Sequence, residues 1–252
     1  MTGNVEAGLM ATQLRVPQKV VLSESTYDVL RNAILDGTLS PGTRIVEEAL
    51  SRQLGVSRAP LREAMWLLKR DGLLVEESAR TTRVVQLTEA DVRELHMIRA
   101  VLETLAYQQA APLLRDEHLA ELDQIIAEMH DASLAGDARR IAHLDYAFHR
   151  TLCLVCELPR VRKLWDEQHV LFRLWLNMVG SSLGAQDIAH THRVLLDVVR
   201  GGDAQAISEQ VIEHVYLVGG VLAEQRQQWA AAQPRLCFPS AADVPAARRS
   251  DR

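Results

Sequence analysis

The chain has 252 residues, enough for one large domain or two ordinary ones, and 48% hydrophobic content excludes wholesale disorder. Aromatics at 4% beside 24% charged residues favour a helix-rich protein over a β-sandwich. Lys and Arg number 28 against 33 Asp and Glu, and the net charge of −5 excludes a globally basic nucleic-acid coat while leaving a local basic surface open.

Residues 1–20 show no sustained period and read as a flexible tail. From 25 to 36 the apolar positions Val29, Leu30, Ala33 and Ile34 predict a first helix, closed by Gly37 and Ser40-Pro41-Gly42. Glu47–Leu54 reads as a short helix ended by Gly55, and Ser57 is placed to cap a third helix running to Asp71 with Pro60 in its first turn. Helices joined by Leu54-Gly55-Val56-Ser57 make a helix-turn-helix. After Gly72, two β-prone runs, Leu73 to Glu77 and Arg83 to Leu87, flank Ser78 to Thr82 and predict a two-stranded wing.

From residue 88 onward only helical segments are legible, near 88–111, 115–134, 137–157, 159–179, 186–200 and 203–229. Their breaks are Pro112, Gly136-Asp137, Pro159, Gly180 to Gly184 and Gly201-Gly202-Asp203. Short connections imply an antiparallel bundle. The Pro-punctuated stretch 230–252 reads as a second flexible tail. The fold class is therefore mostly α, with domains at 21–87 (winged helix-turn-helix) and 88–229 (antiparallel all-helical bundle).

Charge supports that division: 20–87 is neutral, 88–252 carries −6, and 51–70 holds five basic residues against one acidic. In a helix-turn-helix the start of the second helix meets base edges, where Arg pairs with guanine. Arg58 and Arg62, four apart, share one face, while Leu61, Met65 and Leu68 lie opposite, and Ser57 can hold a phosphate. A charge cluster alone is more often a solvated face; the succession helix, turn, helix, wing argues otherwise.

These residues also resemble a known family. Leu30 to Gly37, Leu39-Ser40-Pro41-Gly42, Leu50 to Arg58, Pro60-Leu61-Arg62-Glu63-Ala64 and Leu68 to Leu73 resemble the GntR family of bacterial transcription regulators over about 24–87. The resemblance implies that Ser57, Arg58 and Arg62 contact DNA and that the wing tip, which carries Arg80, approaches the minor groove. Two departures are Glu47-Glu48, where the family often has a basic residue, and a wing tip without glycine.

In the second domain, Asp145 and His149 share a helix face with Ile141, Phe148 and Leu152; His192 lies with Leu195, Leu196 and Val199; His214 lies with Ile207, Val211, Val218 and Leu222. One inward histidine is usually a hydrogen-bonded core residue. One carboxylate and three imidazoles on three apolar faces make an N3O set for a divalent first-row metal. His143 falls among Arg139, Arg140 and Arg150, and His96, His118, His130, His169 and His190 read as solvated or locally satisfied. Cys153 and Cys156, and Trp66, Trp165 and Trp175, read as packing residues.

Here the chain resembles the FCD ligand-binding domain of the FadR subgroup, over about 90–225, through Asp145-Tyr146-Ala147-Phe148-His149, the stretch His192 to Ala204, and His214. That resemblance implies zinc, nickel or manganese on Asp145, His149, His192 and His214, a small carboxylate effector completing the coordination, and Arg99 pairing with it. Arg99 fits a surface salt bridge equally well.

The reading is a cytoplasmic homodimeric transcription regulator, a repressor and not an enzyme, that binds a palindromic double-stranded DNA operator under control of a small organic acid. Three cysteines make no disulfide framework, and no apolar run approaches the roughly 20 residues that span a bilayer. Two rivals stand beside it: a DNA-binding regulator whose four-residue cluster is structural or metal-free, and a metal-dependent hydrolase, which lacks a placed base or nucleophile.

Overall fold

The computed structural model describes residues 18–78, 81–179 and 188–218. Residues 1–17 of the tail expected over 1–20, the tail expected over 230–252, and residues 219–229 of the helix expected over 203–229 lie outside the described residues.

Helix α1, Gln18–Leu35, starts earlier than the periodicity implied: Pro17 stands just before it and no Gly or Pro interrupts it. It buries Thr26, Leu30, Ile34 and Leu35, while Val29 points outward at 49% exposure. Strand β1, Arg44–Ile45, was not expected, because two residues carry no readable period. Helix α2, Glu47–Leu54, ends on Gly55, whose φ of 66° is the left-handed conformation that glycine adopts without a Cβ penalty. The Ser51 hydroxyl, donating to the Val56 carbonyl at 2.6 Å, ties down the turn. Helix α3, Arg58–Arg70, buries Pro60, Leu61, Ala64, Met65 and Leu68. Strands β2, Leu74–Ser78, and β3, Thr81–Val84, form the wing, with β1 antiparallel on the other edge of β3. The wing is thus three-stranded, with Arg44 opposite Arg83 and Leu74 opposite Val84.

Helix α4, Glu89–Ala110, opens on a capping box in which Thr88 Oγ1 accepts from the Asp91 amide and Asp91 Oδ2 accepts from the Thr88 amide. Pro112 lies in a 3-10 turn over Ala111–Leu113. Helices α5 (Asp116–Leu134), α6 (Ala138–Val155), α7 (Pro159–Val179), α8 (Ile188–Gly201) and α9 (Ala204–Val218) follow at the expected breaks. Asp137 and Asp203 accept from the amides of Arg140 and Ala206, capping α6 and α9. Tyr107, Leu122, Met129, Phe148, Leu152, Trp165, Leu195 and Val211 lie in one continuous core. Cys153 and Cys156 are buried in it, as expected, with the Cys156 thiol donating to the Cys153 carbonyl. No described helix is long and apolar enough to cross a membrane.

Two expectations are corrected, for Trp66 and His169, while His96 meets the second of its two alternatives. Trp66 is not a packing residue: the face of α3 carrying it stays outside the fold, and it is 60% exposed beneath the Arg70 guanidinium. His96 and His169 are not solvated, since α4 and α7 press them against Phe172, Trp165 and Trp175 and bury both. His96 is satisfied locally at Nδ1 by the Val92 carbonyl, whereas neither ring nitrogen of His169 has a hydrogen-bond partner among the described residues.

Helix α7 belongs to both units. Leu174 is buried in the core of the winged helix, with Val170 and Leu171 packed against it, while Phe172, Trp175 and Leu176 form a cluster with Ala142 of α6. Gly72 has φ of 74°, and a Cβ there would approach Leu171 Cδ1 to 3.3 Å, so glycine serves both the turn and the contact.

Candidate metal centre and DNA-facing helix

The outer face of α3 carries Arg58 and Arg62, both exposed, as the spacing required. Arg62 Nε donates to Glu47 Oε2 of α2 at 2.8 Å, so one of the two arginines is held by an acidic neighbour. Ser57 occupies the N-cap of α3, is exposed, and makes no side-chain cap hydrogen bond, a departure from the expected cap. Arg80 lies outside the described residues.

In the bundle, Asp145 and His149 project from α6, His192 from α8 and His214 from α9, all buried to 1% exposure or less. Each offers one ligand atom, and these atoms lie within 4.8 Å of one another. Asp145 Oδ1 is 3.3 Å from His192 Nε2 and 3.6 Å from His149 Nε2, and His149 Nε2 is 3.3 Å from His214 Nε2. The remaining nitrogens of His192 and His149 are oriented from behind. His192 Nδ1 donates to the Ile188 carbonyl at 2.8 Å, turning the Nε2 lone pair toward Asp145. His149 Nδ1 lies 2.5 Å from the Tyr107 hydroxyl oxygen and 3.2 Å from Glu103 Oε2.

Electrostatics favour a cation there. Burial alone pushes the Asp145 and Glu103 carboxyls toward the neutral form, but His149 for the first and Arg99 for the second outweigh it and hold both well below the usual carboxylate range. Burial opposes charge on His149, yet Glu103 and Asp145 leave its imidazole more basic than usual. His192 and His214 are pushed down, chiefly by burial, into the neutral form that ligates. Both Asp145 oxygens, His192 Nε2 and His214 Nδ1 have no hydrogen-bond partner among the described residues. A buried carboxylate and imidazoles left so are costly as a plain core, and the N3O donor set fits a divalent first-row ion.

Arg99 is buried at 2% exposure, so its alternative assignment to a surface salt bridge is corrected: its partner Glu103, one turn on along α4, is buried too. Arg99 Nε donates to Glu103 Oε1 at 2.7 Å, while Nη1 and Nη2 have no partner among the described residues. Sequence reasoning missed Glu103 and Tyr107. The signal was the four-residue spacing Arg99, Glu103, Tyr107 on one face of α4, among the buried Ala100, Ala106 and Ala110. A cleft of about 670 Å³ between the wing and α4, lined by Arg83, Gln86, Asp91 and Glu94, holds none of these groups.

Comparisons with known proteins match both domains. Residues 22–84 match the family described as bacterial regulatory proteins, gntR family, and residues 94–217 match the FCD domain. The chain is 32% identical over 191 residues to the uncharacterized HTH-type transcriptional regulator YdhC of Bacillus subtilis, covering 75% of this chain and 85% of that protein. It is 30% identical over 205 residues to the probable D-xylose utilization operon transcriptional repressor of Paenarthrobacter nicotinovorans, covering 81% and 90%. The solved structure of Escherichia coli McbR/YncC superposes with a TM-score of 0.67 at 22% identity, covering 82% of this chain and 98% of that one, and shares the fold.

Proposed function

The chain belongs to the GntR family of bacterial regulators, with an FCD domain, and from that premise we propose a metal-dependent sensor of a small carboxylate that controls operator binding. It is a DNA-binding transcription regulator and not an enzyme. The finer reading is that the winged helix over 21–87 reads DNA through Ser57, Arg58, Arg62 and the Arg80 wing tip, and that the bundle over 88–229 carries the sensor, as in the FadR subgroup.

One observation carries the sensor reading: Asp145, His149, His192 and His214 bring ligand atoms within 4.8 Å in a buried site. These four would hold zinc, nickel or manganese. The chemistry such an ion supplies is Lewis-acidic coordination of a carboxylate oxygen. Arg99 would orient that carboxylate with its free guanidinium end, Glu103 fixes Arg99 and the His149 ring, and Tyr107 closes the site behind His149. One winged helix makes few base contacts, so a homodimer on a palindromic operator supplies specificity. The effector shifts the dimer between arrangements that differ in operator affinity, and operator binding alters effector affinity reciprocally. Repression is the proposed sign, as in the relative named for the D-xylose operon.

The test is elemental analysis of tag-free protein followed by thermal shift with small carboxylates. About one metal per chain, and a carboxylate that raises the Tm of wild type but not of Asp145→Ala, supports the reading. Failure to take up metal after reconstitution with zinc, nickel and manganese refutes it.

A further inference from the structure

Three polar side chains converge on the ring of Phe172. The Arg99 guanidinium lies 3.8 Å from its centroid, and the rings of His96 and His169 each stand 5.5 Å from it. His169 stacks on Trp165 at 4.3 Å and leans on Tyr146 at 4.8 Å. Trp165 in turn donates to the same Glu103 oxygen that accepts from Arg99 Nε. Arg99 and His169 therefore flank one wall made of Glu103, Trp165 and Phe172. His169 is 1% exposed, yet its Nδ1 and Nε2 lack hydrogen-bond partners among the described residues, as do both Nη atoms of Arg99. Natural cores rarely leave an imidazole so, and one beside an unfilled guanidinium points to a ligand.

We propose that His169 is a specificity-determining residue that reads a hydroxyl group on the carboxylate effector, a role that rests on the effector reading above. Burial among aromatic rings holds the imidazole in its neutral form. A neutral imidazole has one donor and one acceptor, and so does a hydroxyl group. A carboxylate suits Arg99, whose cation repels an ammonium, whereas an uncharged hydroxyl group can donate to or accept from the ring. The effector class is a hydroxy acid, its carboxylate at Arg99 and its hydroxyl at His169, with carbon packed on the aromatic wall.

The test is calorimetric titration of zinc-loaded full-length protein with matched acids: glycolate against acetate, lactate against propionate, malate against succinate, gluconate against hexanoate. In wild type at least one hydroxy acid binds about 10- to 100-fold more tightly than its partner, the size set by leaving a built polar site unpaired. In His169→Phe that ratio falls to near one while the unhydroxylated acid keeps its affinity, and His169→Asn, which retains a donor and an acceptor, restores part of it. Metal chelation alone also favours 2-hydroxy acids, so a ratio that survives in His169→Phe overturns the proposal. So does the absence in wild type of any pair differing more than about threefold, a comparison that needs no variant to fold. If zinc binds and no acid of either kind does, the effector reading fails and this inference falls with it.

Discussion

Nδ1 of His149 lies 3.2 Å from Oε2 of Glu103, which places a carboxylate directly behind an imidazole whose other nitrogen faces Asp145. The same carboxylate accepts from Arg99 through its second oxygen, so one residue links the proposed metal ligand to the proposed effector anchor. Glu103→Gln keeps the shape and removes the charge. Metal affinity is expected to fall about 10- to 100-fold, as for outer groups that orient a ligating histidine. Competition against a chromophoric chelator measures it, and an affinity within twofold of wild type refutes this role for Glu103.

Chelation of the metal should lower the Tm. At free metal 100 times its Kd, ligation is worth about 2.7 kcal/mol of stability. His192→Ala removes one of the four proposed ligands and should make the melting temperature insensitive to both metal and chelator. A variant that responds to metal as wild type does would remove His192 from the ligand set.

Burial lowers the pKa of His96 to about 4, among the rings of Phe172, Trp175 and Tyr216. Its folded value lies below its unfolded value of 6.5, so its contribution is complete above pH 6.5 and is lost as the pH falls toward 4. The acid loss from this group is about 3 kcal/mol at most. Urea denaturation of metal-free protein between pH 7 and 4.5 should show a shallower acid decline for His96→Phe. Parallel declines in the two proteins would dismiss His96 as a contributor.

Leu174 sits on α7 at 1% exposure, within the core of the winged helix. Leu174→Ala should destabilise the protein by about 2–5 kcal/mol. Leu164, on the same helix at 50% exposure, is the control, and its alanine variant should stay within about 0.5 kcal/mol of wild type. Equal effects in denaturant would contradict the bridging role of α7.

The ion pair between Glu47 and Arg62 at 2.8 Å holds an arginine on the exposed side of α3, the side proposed to read DNA. Glu47→Gln releases it and should raise operator affinity severalfold at low salt, less as salt rises. Arg58→Ala should cost about 1–3 kcal/mol of operator binding. Both are read by fluorescence anisotropy across a salt series, and a Glu47→Gln variant that binds more weakly would refute the restraint.

Much of the fold was legible because its signals are local. Gly55 marks the end of α2, Asp137 and Asp203 cap α6 and α9, and three- and four-residue spacing shows which helix faces are apolar. The same spacing singled out Asp145, His149, His192 and His214, since a polar residue inside an apolar stripe shows within one helix. By itself the sequence determined these elements, their apolar faces and the composition of the donor set. Which faces meet is another matter, because periodicity within a helix says nothing of the helix packed against it. Only the tertiary structure set Glu103 and Tyr107 of α4 behind His149 of α6, left Trp66 exposed, and seated Leu174 of α7 in the winged helix. Those contacts join residues from about 40 to more than 100 positions apart or on different faces, and long-range packing of apolar surface, not local propensity, decides them.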